Sequence, residues 1–141
     1  MKFLQKLTFL WSPLSVISAL IEQWTPIGCS SEKECEKSLF SFLHQHLDDA
    51  LIVSQYAIGK THVDLMVNDR VMVEIKYKLN STSEYQRLIG QLVEYKNWGK
   101  DLVIVLVGDT NPSLKRRLSR TLDEEFAGYI PLGPGFKVIQ K

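Results

Sequence analysis

Cysteine is nearly missing from this chain. Cys29 and Cys35 are the only two, and no second pair accompanies them. The expectation is a pair of reduced thiols in a reducing, cytoplasmic compartment rather than a disulfide framework or a paired-cysteine zinc site. Net charge is missing as well. Seventeen Lys and Arg against sixteen Asp and Glu leave +1, so no global field marks a nucleic-acid binder. Any such function must rest on local clusters. Also absent are a Gly-rich nucleotide loop, a Ser-His-Asp order, internal repeats and low-complexity tracts. The longest uncharged stretch, residues 7–21, falls short of the ~20 residues that span a bilayer.

What remains is ordinary for a folded domain. A chain of 141 residues with 45% hydrophobic and 23% charged residues supports one core. Lysines at the start followed by an uncharged run superficially resemble a signal peptide. Pro13 interrupts that run, no small-x-small cleavage site follows, and Glu22-Gln23-Trp24 makes a poor exit. Ser12-Pro13 reads instead as an N-cap and first helical position. Leu14, Ile17, Leu20, Ile21 and Trp24 form a helical stripe. Residues 1–28 are thus expected to be an apolar helical extension, available for packing, homodimerisation or a partner protein, with membrane contact as the weaker alternative. Residues 29–141 form the single main domain.

Ser31-x-x-Glu34 is a capping box, and the helix behind it buries Cys35, Leu39, Phe42, Leu43 and Leu47. Residues 51–58, 61–67 and 71–78 read as three strands. Overlapping boxes at Ser81 and Ser83 open a helix that should end at Gly99. Residues 102–107 are a continuous apolar run, the mark of a strand covered on both faces. Asn111-Pro112 opens a polar helix to about residue 126, residues 128–135 form a Gly/Pro loop, and 136–139 make a last edge strand. The order predicts an α/β domain with a mixed central sheet flanked by helices.

The chemistry concentrates in the hairpin. Strict alternation puts His62, Asp64 and Met66 on one face of the first strand, and Met72, Glu74, Lys76 and Lys78 on one face of the second. Asp64 and Glu74 share a face only if the connection at Asn68–Arg70 is odd-numbered or bulged, because a one-residue slip inverts the strand. Two carboxylates held together repel unless a cation lies between them. Hard oxygen donors suit Mg²⁺ or Mn²⁺. Lys76 then falls where an ammonium orients water or stabilises charge on phosphorus.

Asp64 followed by Glu74-Ile75-Lys76, with a helix and strand before and a helix and strand after, resembles the PD-(D/E)XK nuclease superfamily. The resemblance covers roughly residues 31–108. It implies a restriction-endonuclease-like αβββαβ core and a metal-dependent nuclease, with DNA the favoured substrate. Asp64 and Glu74 match the family's metal-binding acids and Lys76 its catalytic lysine, with the Ile75 carbonyl as a further ligand. The family's proline before the Asp is absent; Val63 stands there. Gln91 and Tyr95 match the Gln-x-x-x-Tyr motif of RecB-like members, which supports the site and contacts the nucleic-acid strand. Glu36 matches the helix glutamate of Holliday-junction resolvases, with Glu32 as the alternative. Arg87, Lys60 and Lys78 are candidates for a phosphate-binding rim, and His62 a weaker one. Lys115, Arg116, Arg117 and Arg120 read as a solvated helix face. The rival function is a non-catalytic module of the same fold that binds nucleic acid or assembles through residues 1–28.

Overall fold

The computed structural model describes residues 12–126 and 135–141. Residues 1–11, and most of the loop expected at 128–135, lie outside the described residues. The elements in chain order are α1 (Pro13–Gln23), α2 (Glu32–His46), β1 (Ile52–Ile58), β2 (Thr61–Val67), β3 (Val71–Tyr77), α3 (Thr82–Trp98), β4 (Asp101–Val107), α4 (Pro112–Phe126) and β5 (Phe136–Gln140). Of the predicted caps, Ser31 and Ser81 act through their side chains, whereas Ser12 precedes α1 without a side-chain cap bond and Ser83 lies inside α3. The Ser31 and Ser81 hydroxyls accept from the Glu34 and Glu84 amides. Gly99 closes α3 in the left-handed conformation, where a residue without Cβ carries no steric cost.

The protein is an α/β fold. One five-stranded mixed sheet, in the order β1-β2-β3-β4-β5, is flanked by four helices. β1, β2 and β3 pair antiparallel; β3, β4 and β5 pair parallel. Two cores follow from the alternation of β4. Val103, Val105 and Val107 face α1 and α2, whereas Leu102, Ile104 and Leu106 face α3 and α4. Both β3 and β4 are covered on both sides, as the continuous apolar reading of residues 102–107 required.

Residues 13–24 of the expected extension are part of this packing. Ile17, Leu20, Ile21 and Trp24 are buried in the α1/α2 core, and the Trp24 indole donates to the Ser38 hydroxyl at 3.1 Å. Much of the helical stripe of α1 is therefore covered by the sheet and α2. No helix among the described residues is long and apolar enough to cross a membrane.

The β2–β3 connection has the odd length the carboxylates need. Val67 pairs with Val71, leaving Asn68, Asp69 and Arg70 as the loop, with Asn68 and Asp69 at positive φ. Strict alternation, however, fails in β2. Leu65 and Val67 face α1 and α2, yet Val63 joins Met66 in the opposite core. β1 changes sides in the same way: Ile52 packs on one core, Tyr56 and Ile58 on the other. Both inversions fall at the one position where the β1–β2 ladder skips a pair, Gln55 opposite Asp64, and Gln55 adopts φ +52°. The outer half of the hairpin is thereby turned onto α3. There Gly59 adopts φ +57°, which an L side chain rarely takes, and approaches the Glu94 carboxylate.

Candidate functional site

Glu74 and Lys76 share the face of Met72, and that face is buried. It is roofed by α3. Glu74 is 2% exposed and Lys76 9%, in a class of residue that stays buried only when paired. Glu74 faces Ile104 across the β3–β4 ladder, and Lys76 faces Leu106. The sheet register, continued by one step beyond Leu65 and Val73, sets Asp64 opposite Glu74.

The turnover of β2 at Asp64 decides how the acids meet. Asp64 Oδ2 accepts from the Ile75 amide at 2.7 Å, so its carboxylate lies between the strands where their pairing ends. The N–H and C=O of one residue in an extended strand point to the same side, so the Ile75 carbonyl is turned toward this carboxylate as well. Glu74 lies close enough to Asp64 for the second carboxyl to act on it directly. Burial, then the charge of Asp64, hold the Glu74 carboxyl well above its ordinary value; Lys76 and the Tyr95 hydroxyl pull weakly the other way.

Tyr95 comes from the fourth turn of α3 and is fully buried. Its hydroxyl donates to Glu74 Oε2 and is 3.0 Å from the His62 carbonyl. One hydroxyl hydrogen cannot satisfy two acceptors, so the set is complete when the acidic pair brings a proton of its own. Burial and the neighbouring Glu74 charge push the Tyr95 phenol up, which keeps it a donor. Gln91, one turn earlier, has its Oε1 buried and without a hydrogen-bond partner, an acceptor left over on the same helix face.

On the α2 side, Glu36 Oε1 accepts from the Ser54 hydroxyl and Oε2 from the Gln55 amide at 2.9 Å. The same amide reaches Asp64 Oδ1 at 3.2 Å. Gln55 thus ties the helix glutamate to the strand aspartate, and its positive φ is the distortion that brings it there. Glu32 also turns to the sheet, accepting from the Tyr77 amide at 3.4 Å. An open groove of about 540 Å³ is lined by Glu32, Glu36, Lys37, Ser54, Gln55 and Asp64. Glu34 stays with the cap, accepting from the Ser30 amide and hydroxyl.

The structure therefore gathers Asp64, Glu74, Ile75, Lys76 and Tyr95, and links Glu36 through Gln55. It does not bring Lys60, Lys78 or Arg87 into hydrogen bonds or ion pairs with this group among the described residues. All three are exposed, and Lys78 lies over the ring of Tyr77 with its ammonium 5.3 Å from the centroid. Gln55 and Ser54 escaped the sequence reading because nothing in a β-rich run marks a residue at positive φ. Among the described residues, no three His, Cys, Asp or Glu side chains are grouped to hold a metal ion. The donors at hand are two carboxylates and a backbone carbonyl. Cys35 is no nucleophile: burial, then the Cys29 thiol, push it up to about 12.

No protein-family model, curated protein or solved structure matches this chain.

Proposed function

We propose that this chain is a metal-dependent nuclease that hydrolyses phosphodiester bonds, with DNA as substrate, and that its fold is restriction-endonuclease-like. The observation that carries the reading is the buried Glu74, held against Asp64 with Lys76 beside it on β3 and a tyrosine donor behind it. A fold gains nothing from this arrangement. Two acids in contact and a lysine on a strand that is otherwise apolar cost stability, and such groups are retained where chemistry uses them.

The residues fit a hard divalent cation. A proton-hungry acid pair with only oxygen donors is the set that Mg²⁺ or Mn²⁺ takes, displacing the proton. Asp64, Glu74 and the Ile75 carbonyl would hold it, with Glu36 linked through Gln55. The cation, when bound, would stabilise charge on the phosphate oxygens. The chain's own residues do the rest. The Ile75 amide and Gln55 fix both oxygens of Asp64. Tyr95 fixes Glu74 by a bond whose other end is rooted in the α3 core. Lys76, without an ion pair of hydrogen-bonding length among the described residues, keeps three N–H donors for a phosphate oxygen or an attacking water. Gln91 offers its buried amide oxygen on the same side.

The rival reading, a non-catalytic docking module, drew on an exposed apolar N-terminal helix. The covered stripe of α1 weakens that support. The test is to incubate purified protein with supercoiled, linear and branched DNA plus Mg²⁺ or Mn²⁺. Wild type should cut, and Asp64→Ala and Lys76→Ala should not. Cutting that survives both substitutions would assign the activity elsewhere. DNA binding with no cutting of any substrate would favour the module.

A further inference from the structure

The charges of α4 stand in the order that helix electrostatics disfavours. Lys115, Arg116, Arg117 and Arg120 all precede the acids Asp123, Glu124 and Glu125, which fill its last turn. The first turn contains no acid and the last no base. The N-terminal end of a helix is effectively positive and the C-terminal end negative, so the reverse order is the stabilising one. Nor do ion pairs explain the cations. Among the described residues the salt bridges are Lys96–Glu125 and Lys100–Asp69; neither involves these four or Arg87. Arg117 is held over the Tyr85 ring, 4.7 Å from its centroid, a contact that leaves its N–H fork free.

The fold concentrates these charges. α3 and α4 both begin at the carboxyl ends of the parallel strands β3 and β4, and they run side by side in one direction. Tyr85 meets Arg117 and Thr121, and farther along Lys96 meets Glu125. The basic half of α4 therefore lies beside the first turns of α3, where Arg87 is exposed. β3 runs toward the same end, from Glu74 through Lys76 to the exposed Lys78. Two positive helix ends and a run of unpaired cations converge on one edge of a molecule whose net charge is only +1.

We propose that this edge, formed by Arg87, Arg116, Arg117 and Arg120, is a phosphate track for double-stranded nucleic acid that leads toward the acidic pair; the direction of approach rests on the nuclease reading. Unpaired cations without base-reading elements contact backbone, not sequence. A lipid surface fits less well. Among the described residues the large apolar side chains that stand exposed are Ile27, Leu51, Val93 and Trp98, and none lies on α4, so the helix itself presents no apolar anchor for a bilayer.

The test is the salt dependence of binding to a random-sequence duplex of roughly 30 base pairs, by fluorescence anisotropy without divalent cation. Arg116→Ala/Arg120→Ala is the informative double variant, since Arg117 also packs on Tyr85. It should bind on the order of tenfold more weakly, with a log–log salt slope shallower by about two, and Arg116→Lys/Arg120→Lys should restore the slope. Its melting temperature should not fall, because the cations do nothing for the helix. An unchanged slope would overturn the track, as would a lowered melting temperature, or binding of phosphatidylserine vesicles but not of duplex. Binding is read without cleavage, so a protein that binds as expected but never cuts refutes the nuclease reading alone.

Discussion

β3 and β4 are neighbours in the same sheet, parallel, seven residues long and covered on both faces. β4 fills its inner positions with apolar side chains throughout. β3 does the same on the α1/α2 side, with Val71, Val73 and Ile75, and breaks the pattern only where Glu74 stands beside Ile104 and Lys76 beside Leu106. Their surroundings are alike, so the contrast isolates the charges. β4 is what the fold asks of a central strand. β3 departs from it at two positions on one face, one of them met by the Tyr95 hydroxyl that α3 supplies.

The contrast breaks most sharply in activity. Asp64→Ala or Lys76→Ala should each lower plasmid cutting by about 10²–10³-fold or more, as loss of a principal electrostatic group does. Initial rates with Mg²⁺, set against unchanged circular dichroism, measure this. Wild-type rates in either variant would remove the site from this face.

Making β3 resemble β4 comes next. The double variant Glu74→Ile/Lys76→Leu should abolish cutting and yet raise stability by about 1–4 kcal/mol, since apolar replacements of buried charges are often stabilising. Urea unfolding monitors it. A large loss of stability would mean that the charges hold the fold together and that the functional reading of the contrast is wrong. Glu74→Ile alone should be worse than the double, because Lys76 then loses its compensating charge. Tyr95→Phe should be smaller, about 1–3 kcal/mol of destabilisation from a buried acceptor left without its donor.

The subtlest sign is in pH. Folded Glu74 holds its proton more tightly than the unfolded side chain, whose ordinary value is 4.5. Between 4.5 and the raised folded value the folded state therefore binds more protons. The stability this contributes is full below 4.5 and is lost as pH rises through the folded value. Melting temperatures from about pH 4 to about pH 8 should decline more steeply for wild type than for Glu74→Gln. Mg²⁺ should offset the decline, because it replaces the proton. Parallel curves with no effect of Mg²⁺ would mean that the fold does not hold a proton on Glu74.

Much of this was legible in residue order. Capping boxes, periodicity and Gly99 located the described elements to within a residue or two, because local hydrogen bonding and amphipathic period act over a few residues. The demand for an odd-numbered or bulged connection at Asn68–Arg70 came from matching apolar faces, and the odd-numbered form is found: Val67 pairs with Val71. Other features were not legible. Strict alternation kept Val63 with Leu65, whereas the strands invert at Gln55 and Asp64. Leu14 to Trp24 read as a helix, but their apolar stripe says nothing of what covers it. Lys115 to Arg120 read as a solvated face, and only the alignment of α4 beside α3 brings them to the edge where β3 ends.

By itself the sequence determined which segments are helix or strand, that a carboxylate and a Glu-x-Lys lie on adjacent strands, and that their meeting required an odd or bulged connection. Those follow from backbone periods and cap chemistry, which are short-ranged. Tertiary structure alone decided that Glu74 is buried under Tyr95, that its proton is held tightly, and that Gln55 bridges Asp64 to Glu36. Burial and proton affinity depend on what other elements lay against a side chain, and no spacing along the chain carries that.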